Sequence, residues 1–261
     1  MKAIVSRDNP RFKALRRLAT TVSARRETQQ ALLEGIHLCE SFLHGGGVPL
    51  CCALSRSAEN HPEVAAIVAS FDGKLAHRDV LLFDDALFAS LSQVEHGVGI
   101  LFSIAVPTAH VPERIERSCV LLDRIQDPGN LGSILRSAAA AGLVSMFASQ
   151  HCVDAWSPKV LRAGMGAHFH LDIVEDCDLD NVLSRIAIPL VATSSHAAKT
   201  IFESELGREL AWLFGNEGQG IAPALAARAL VLRIPQPGGL ESLNVAAAAA
   251  ICFFEQVRQR A

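Results

Sequence analysis

Tyrosine is absent from this chain of 261 residues, and only Trp156 and Trp212 join the twelve phenylalanines. A surface that reads nucleobases mainly by aromatic stacking therefore has little to build from, and backbone and shape contacts would have to serve instead. No apolar run approaches the ~20 residues needed to span a bilayer; Ala246–Ala250 is typical of the longest. The opening residues, Met1 to Val5 followed by Arg7, Arg11 and Lys13, lack the apolar core of a secretory signal, so a cytoplasmic protein is expected. The seven cysteines are odd in number and never form a C-x-x-C pair, which reads as buried thiols. There is no Walker loop and no G-x-G-x-x-G. The G-x-S-x-G nucleophile elbow is missing too, so His44-Gly45-Gly46-Gly47 reads as a helix end and not as a hydrolase oxyanion loop. His151-Cys152 and His168–Asp172 lack the spaced pairs of a zinc site, and no metal is expected.

What is present is half apolar and one fifth charged, the composition of a globular chain of one large domain or two modest ones. The formal charge of −3 argues at first against a polyanionic partner. Its distribution argues otherwise. The first thirty residues hold eight Lys or Arg against Asp8 and Glu27, an excess of +6, and the remainder carries −9. Arg7, Arg11, Lys13, Arg16 and Arg17 recur every few residues beside Phe12, Leu15 and Leu18, which predicts one amphipathic helix with a basic face for phosphates over a core face.

Hydrophobic periodicity then predicts a helix over Gln29–Leu43, a strand at Cys51–Leu54, a helix at Pro62–Ser70, a strand at Val80–Phe83, a short helix at Asp84–Leu91 and a strand at Gly99–Ala105. Residues 106–117, rich in proline and charge, read as a linker between domains 1–105 and 118–261. From Ser118 onward strands and helices alternate. Strands are expected at Cys119–Asp123, Val144–Ala148, His170–Val174, Pro189–Thr193, Leu210–Phe214 and Ala229–Ile234. The helices between and after them are expected at Leu131–Ala141, Pro158–Met165, Leu179–Ile186, Ala222–Arg228 and Leu243–Val257. The fold class is α/β, with a parallel sheet in the second domain.

Ligands in such sheets collect at the carboxyl ends of strands. Three loops there are rich in glycine, asparagine and proline. Asp123–Arg136 contains Pro128-Gly129 for a turn, Asn130 as a candidate helix cap, and Arg136 within reach of the helix start. Gly215-Asn216-Glu217-Gly218-Gln219-Gly220 lets backbone approach a ligand closely, while Glu217 disfavours a phosphate there. Ile234–Ala246 is a rigid Pro/Gly loop running into a helix that Ser242 or Asn244 can cap.

Asn130-Leu131-Gly132-Ser133-Ile134-Leu135-Arg136, Gly215–Ile221 and Ile234-Pro235 with Ser242-Leu243-Asn244-Val245-Ala246 resemble, in order, the three motifs of the SpoU family of RNA 2′-O-ribose methyltransferases, in the SPOUT superfamily. Ser157–Ala167 is similar to the segment that family carries between its first two motifs. Asn9-Pro10, the arginine-rich helix and Leu33-Glu34-Gly35 resemble its small ribosomal-protein-like substrate-binding domain.

The resemblance implies a C-terminal trefoil-knot domain, S-adenosylmethionine as methyl donor, RNA as substrate and a homodimer, with no DNA or membrane partner. Ribosomal RNA is favoured over transfer RNA; a protein of this fold that binds RNA without methyl transfer is the alternative. By resemblance Arg136 activates the ribose hydroxyl, and Asn130, Glu217, Ser242 and Asn244 hold the nucleotide and the arginine, Glu217 by pairing with Arg136 or with the sulfonium. Thr193, Gly215, Ile234, Gln236 and Leu243 line the cofactor cleft. Gly164 and Gln236 depart from the serine and methionine that relatives often carry.

Overall fold

In the computed structural model, which describes residues 1–71, 79–94, 97–239 and 242–261, the chain forms two compact units. The first comprises Met1–Thr108 with Trp156–Phe169, and the second Ala109–Ala155 with His170–Ala261. The change of unit at 108/109 falls inside the expected linker. The return of Trp156–Phe169 to the first unit divides the expected domain 118–261, and no composition shift announces it.

In the first unit, strands β1 (Lys2–Ile4), β2 (Gln30–Glu34), β3 (Cys51–Ser55), β4 (Val80–Phe83) and β5 (Ile100–Ala105) make a mixed sheet of order β1-β4-β3-β5-β2. Asn9 caps helix α1 (Pro10–Thr20) by accepting from Arg11 N at 2.9 Å, and Pro10 sits at the first turn, where its missing N–H costs nothing. Phe12, Leu15 and Leu18 are buried against Phe83, Phe88 and Leu32, so the apolar face is the one expected. The basic run breaks, however, into α1 and α2 (Val22–Thr28). Within α2, Arg25 is buried and donates to Leu18 O at 2.7 Å, which is a structural role.

The single helix expected over Gln29–Leu43 is instead strand β2 followed by α3 (Ile36–His44). Gly35 at φ 95° makes the break, a backbone state in which a side chain is strained. Leu32, Leu33 and Ile36 satisfy a helical spacing, but residues 30–34 gain more by pairing antiparallel with β5. Helix α4 (Pro62–Ser70), α5 (Asp85–Ala89) and α7 (Pro158–Gly164, numbered in chain order) complete the unit.

The second unit is a six-stranded, fully parallel sheet of order β11-β9-β10-β6-β7-β8. Its strands are β6 (Cys119–Asp123), β7 (Ser145–Ser149), β8 (Asp172–Cys177), β9 (Leu190–Thr193), β10 (Ala211–Gly215) and β11 (Leu230–Leu232). Alternation along β10 serves two layers. Ala211 and Leu213 join Leu121, Phe147 and residues of α8 (Leu179–Arg185) and α9 (Pro223–Ala226). Trp212 and Phe214 stack on each other and meet Phe253 of α10 (Val245–Arg260) edge-on, and Trp212 Nε1 donates to the buried Gln256 Oε1 at 2.8 Å. Helix α10 also packs on α6 (Pro128–Ala140). The chain leaves β6 toward β7 and leaves β10 in the opposite direction across the sheet toward β11. The loops after these adjacent strands therefore diverge, the arrangement that opens a crevice in a parallel sheet.

Candidate active site

Asp127 and Pro128 start α6. The Asp127 side chain is the N-cap and accepts from Asn130 N at 2.8 Å, so Asn130 is not the cap that the sequence suggested. It stands within the first turn with its amide free for other work. Asn130 Nδ2 donates to Glu217 Oε1 at 3.0 Å, and Asn130 Oδ1 accepts from Asn244 Nδ2 at 2.8 Å. Asn244, one of the two expected caps of the last helix, caps α10 by accepting from Ala246 N and Ala247 N. Its Oδ1 is thus spent on the helix and its Nδ2 on Asn130. Three residues from three motifs form one hydrogen-bonded chain, and the amide orientation is the one that satisfies every partner.

Glu217 is held from both sides. Burial alone would raise its carboxyl pKa, but hydrogen bonds from Asn130 Nδ2 and from the backbone N–H groups of Asp127 and Gln126 outweigh that and lower it. Of the two cationic partners left open for Glu217, Arg136 does not meet it; Asn130 does. Arg136 lies on the exposed face of α6 and has no hydrogen bond or ion pair among the described residues. Its guanidinium keeps all its donors for an incoming group.

Beside this chain lies a cleft of about 660 Å³, within the roughly 300–1,000 Å³ range of small-molecule sites. Thr193, Gly215, Ile234, Gln236 and Leu243 all line it, together with Glu217, Ser242 and Asn244. Arg136 and Asn130 do not. Ser242 is exposed, and its side chain makes no hydrogen bond among the described residues. The sequence had not singled out Ser194, Ser195, His196 or Asn216, which also line the cleft; as ordinary loop residues they give no signal without the fold.

Gly215 ends β10 where a Cβ would overlap the backbone of Gly220 and Ile221, so the loop folds back onto its own strand only because that side chain is missing. Asn216 closes the loop. It exchanges backbone hydrogen bonds with Gly220, and its Oδ1 accepts from Gly218 N and Gln219 N at 3.0 Å each. Among the described residues no group of His, Cys, Asp and Glu is arranged to hold a metal ion.

The basic residues of the first unit divide in two. Arg11 pairs with Asp79 at 2.8 Å, Lys13 with Asp8 at 2.8 Å and Arg17 with Glu27 at 3.6 Å. Arg7 and Arg16 are exposed, with no side-chain partner among the described residues. Asp8 and Glu27 are already counted in the +6, so of these three pairs only that with Asp79 reduces it. No helix among the described residues is long and apolar enough to cross a membrane.

The SpoU rRNA methylase family model matches residues 117–254. The chain is 30% identical to the Bacillus subtilis 23S rRNA (guanosine(2553)-2'-O)-methyltransferase RlmP, over 97% of this chain and 98% of that protein. It is 34% identical to an uncharacterised tRNA/rRNA methyltransferase of Synechocystis, over 99% and 94% of the two lengths. A crystal structure of an AdoMet-bound rRNA methyltransferase from Sinorhizobium meliloti superposes with a TM-score of 0.82 at 28% identity, covering 98% of this chain and 97% of that one.

Proposed function

The chain belongs to the SpoU rRNA methylase family, and from that premise we propose that Arg136, Asn130, Glu217 and Asn244 carry its chemistry. The protein is an S-adenosylmethionine-dependent RNA 2′-O-methyltransferase of the α/β SPOUT fold, and its substrate is ribosomal RNA. The observation that carries the assignment of residues is the Glu217–Asn130–Asn244 chain, which joins all three motifs at the lip of one cleft.

The cleft suits the cofactor. Gln236 Oε1 is a buried acceptor with no hydrogen-bond partner among the described residues, a costly state that an amino or hydroxyl donor of a bound nucleoside would relieve. Thr193, Gly215, Ile234, Gln236 and Leu243 would hold S-adenosylmethionine there. When bound, that group supplies an electrophilic methyl on a sulfonium. Methylation forms the bond from the ribose 2′-oxygen to the methyl carbon as the carbon–sulfur bond breaks, and the hydroxyl gives up its proton to solvent.

A guanidinium offers five donors and no acceptor, so Arg136 is given no role as a base. Its unpaired donors orient the ribose or its phosphate and stabilise the negative charge growing on the 2′-oxygen. Asn130 keeps Glu217 ionised and fixed. Glu217 in turn pins the backbone at Gln126 and Asp127 that starts the arginine's helix.

Arg7 and Arg16, exposed and without a side-chain partner among the described residues, are the proposed phosphate contacts, with Arg11, Lys13 and Arg17 secondary because acids already face them. A cytoplasmic location is part of the proposal, supported by the similarity to a bacterial rRNA methyltransferase. We further propose a homodimer: Ile251 and Phe254 stay exposed on α10, as does Phe202 on a 3₁₀ turn packed beside it, and sedimentation at twice the mass of one chain tests this. Mapping of 2′-O-methyl groups in ribosomal and transfer RNA, from cells with and without the gene, tests the function. A methyl missing from ribosomal RNA alone is the expected result.

A further inference from the structure

Arg124 follows β6 in a left-handed backbone conformation, φ 57°, which a non-glycine residue adopts only when its surroundings hold it there. Here they hold it by every polar group it has. Its N–H donates to Ser149 Oγ at 2.9 Å, at the end of β7, and its carbonyl accepts from Asn216 Nδ2 at 2.9 Å. Its guanidinium meets both oxygens of Asp123 at 3.1 Å and reaches Gln219 Oε1 at 2.8 Å. The Asp123 side chain is only 6% exposed, and it also accepts from Ala222 N at 3.1 Å, just past the glycine loop.

We infer that Arg124 is a positioning residue that clamps the cofactor-side loop 215–221, holding it through Asn216, Gln219 and Asp123 so that the cleft is formed before ligand arrives. This rests on the proposed function for what the loop binds, but the clamp itself is a property of the free protein. The geometry shows why a side chain is kept where a glycine would be relaxed. The ion pair with Asp123 anchors the guanidinium and leaves one nitrogen, Nη1, for Gln219, which stands in the loop itself. A purely stabilising ion pair has no need of that second contact.

The variants Arg124→Gly and Gln219→Ala test it. Arg124→Gly removes the guanidinium links to Asp123 and Gln219, keeps the backbone link to Asn216 and relieves the left-handed backbone, so loss of fold is not built into the change. In ligand-free protein, amide hydrogen exchange over residues 216–221 should rise roughly tenfold in either variant, as loss of a hydrogen bond to a charged group predicts. S-adenosylmethionine Kd should rise by about the same factor, with turnover at saturating cofactor much less affected. The double variant should match Arg124→Gly alone, because Arg124→Gly already cuts the link to Arg124 that Gln219→Ala removes. Unchanged exchange in the loop, or additive effects in the double variant, overturns the clamp; additivity would mean Gln219 acts on the cofactor by itself. Wild-type protein that fails to bind S-adenosylmethionine would overturn the proposed function, whereas the exchange measurement tests the clamp either way.

Discussion

Asn244 Nδ2 donates to Asn130 Oδ1 at 2.8 Å, tying the start of the last helix to the start of α6 across 114 positions of chain. Through Asn130 the link continues to Glu217. Each amide in it both donates and accepts, so a change at one member alters the state of the others.

Replacing Asn130 by Asp keeps the acceptor for Asn244 but removes the donor to Glu217 and sets a second carboxylate against it. In the wild type the Glu217 pKa lies below its ordinary 4.5. The associated stabilisation is therefore fully present above 4.5 and is lost only as pH falls through the lower folded value. Asn130→Asp should raise the titration of the pair, moving the acid limb of the pH–activity profile toward neutrality, and lower kcat by roughly a hundredfold. An unmoved acid limb would show that Asn130 does not govern the ionisation of Glu217.

Arg136→Lys keeps the charge and loses the planar fork. A loss of roughly 10²–10³ in kcat is expected, with S-adenosylmethionine affinity unchanged because Arg136 does not line the cleft. Single-turnover methyl transfer beside calorimetry separates the two quantities. Near-full turnover would show that a point charge suffices.

At Gly215 a methyl group would overlap the backbone of Gly220 and Ile221. Backbone cannot rotate away as a side chain can, so Gly215→Ala should cost about 1–3 kcal/mol in stability and weaken cofactor binding. Denaturant unfolding with and without S-adenosylmethionine reads both effects.

Changing Arg7 and Arg16 together to Gln should weaken RNA binding and reduce the slope of log K against log salt by roughly one to two units, leaving cofactor affinity intact. Changing Arg11 and Arg17, which face Asp79 and Glu27, should do less. Equal salt slopes for the two pairs would mean that the local ion pairs open on RNA binding.

Much of this was legible in residue order. Continuous apolar runs such as Cys119–Asp123, bounded by turn residues, admit little besides buried strands, and Pro62 marks the start of α4 directly. The cleft residues could be named because they sit in motifs at strand ends. Strand β2 was hidden because Leu32, Leu33 and Ile36 also fit a helical period, and only its pairing with β5 decides between them. The partner of Glu217 was hidden for a similar reason: sequence favours opposite charges, while the fold brings an amide. Arg124 gave no signal, since its contact with Gln219 spans 95 positions and its left-handed backbone is invisible in an arginine codon. Net charge misled by averaging over the chain, and the local excess does not say which cations are paired: Arg11, Lys13 and Arg17 face acids, while Arg7 and Arg16 do not.

The most direct test of the account is transfer of labelled methyl from S-adenosylmethionine to protein-free ribosomal RNA by the purified chain, followed by nuclease digestion and identification of the labelled nucleoside. The account predicts label in one or a few 2′-O-methylnucleosides, abolished to near background by Arg136→Ala. Label on a base, or undiminished transfer by the Arg136→Ala protein, would contradict it.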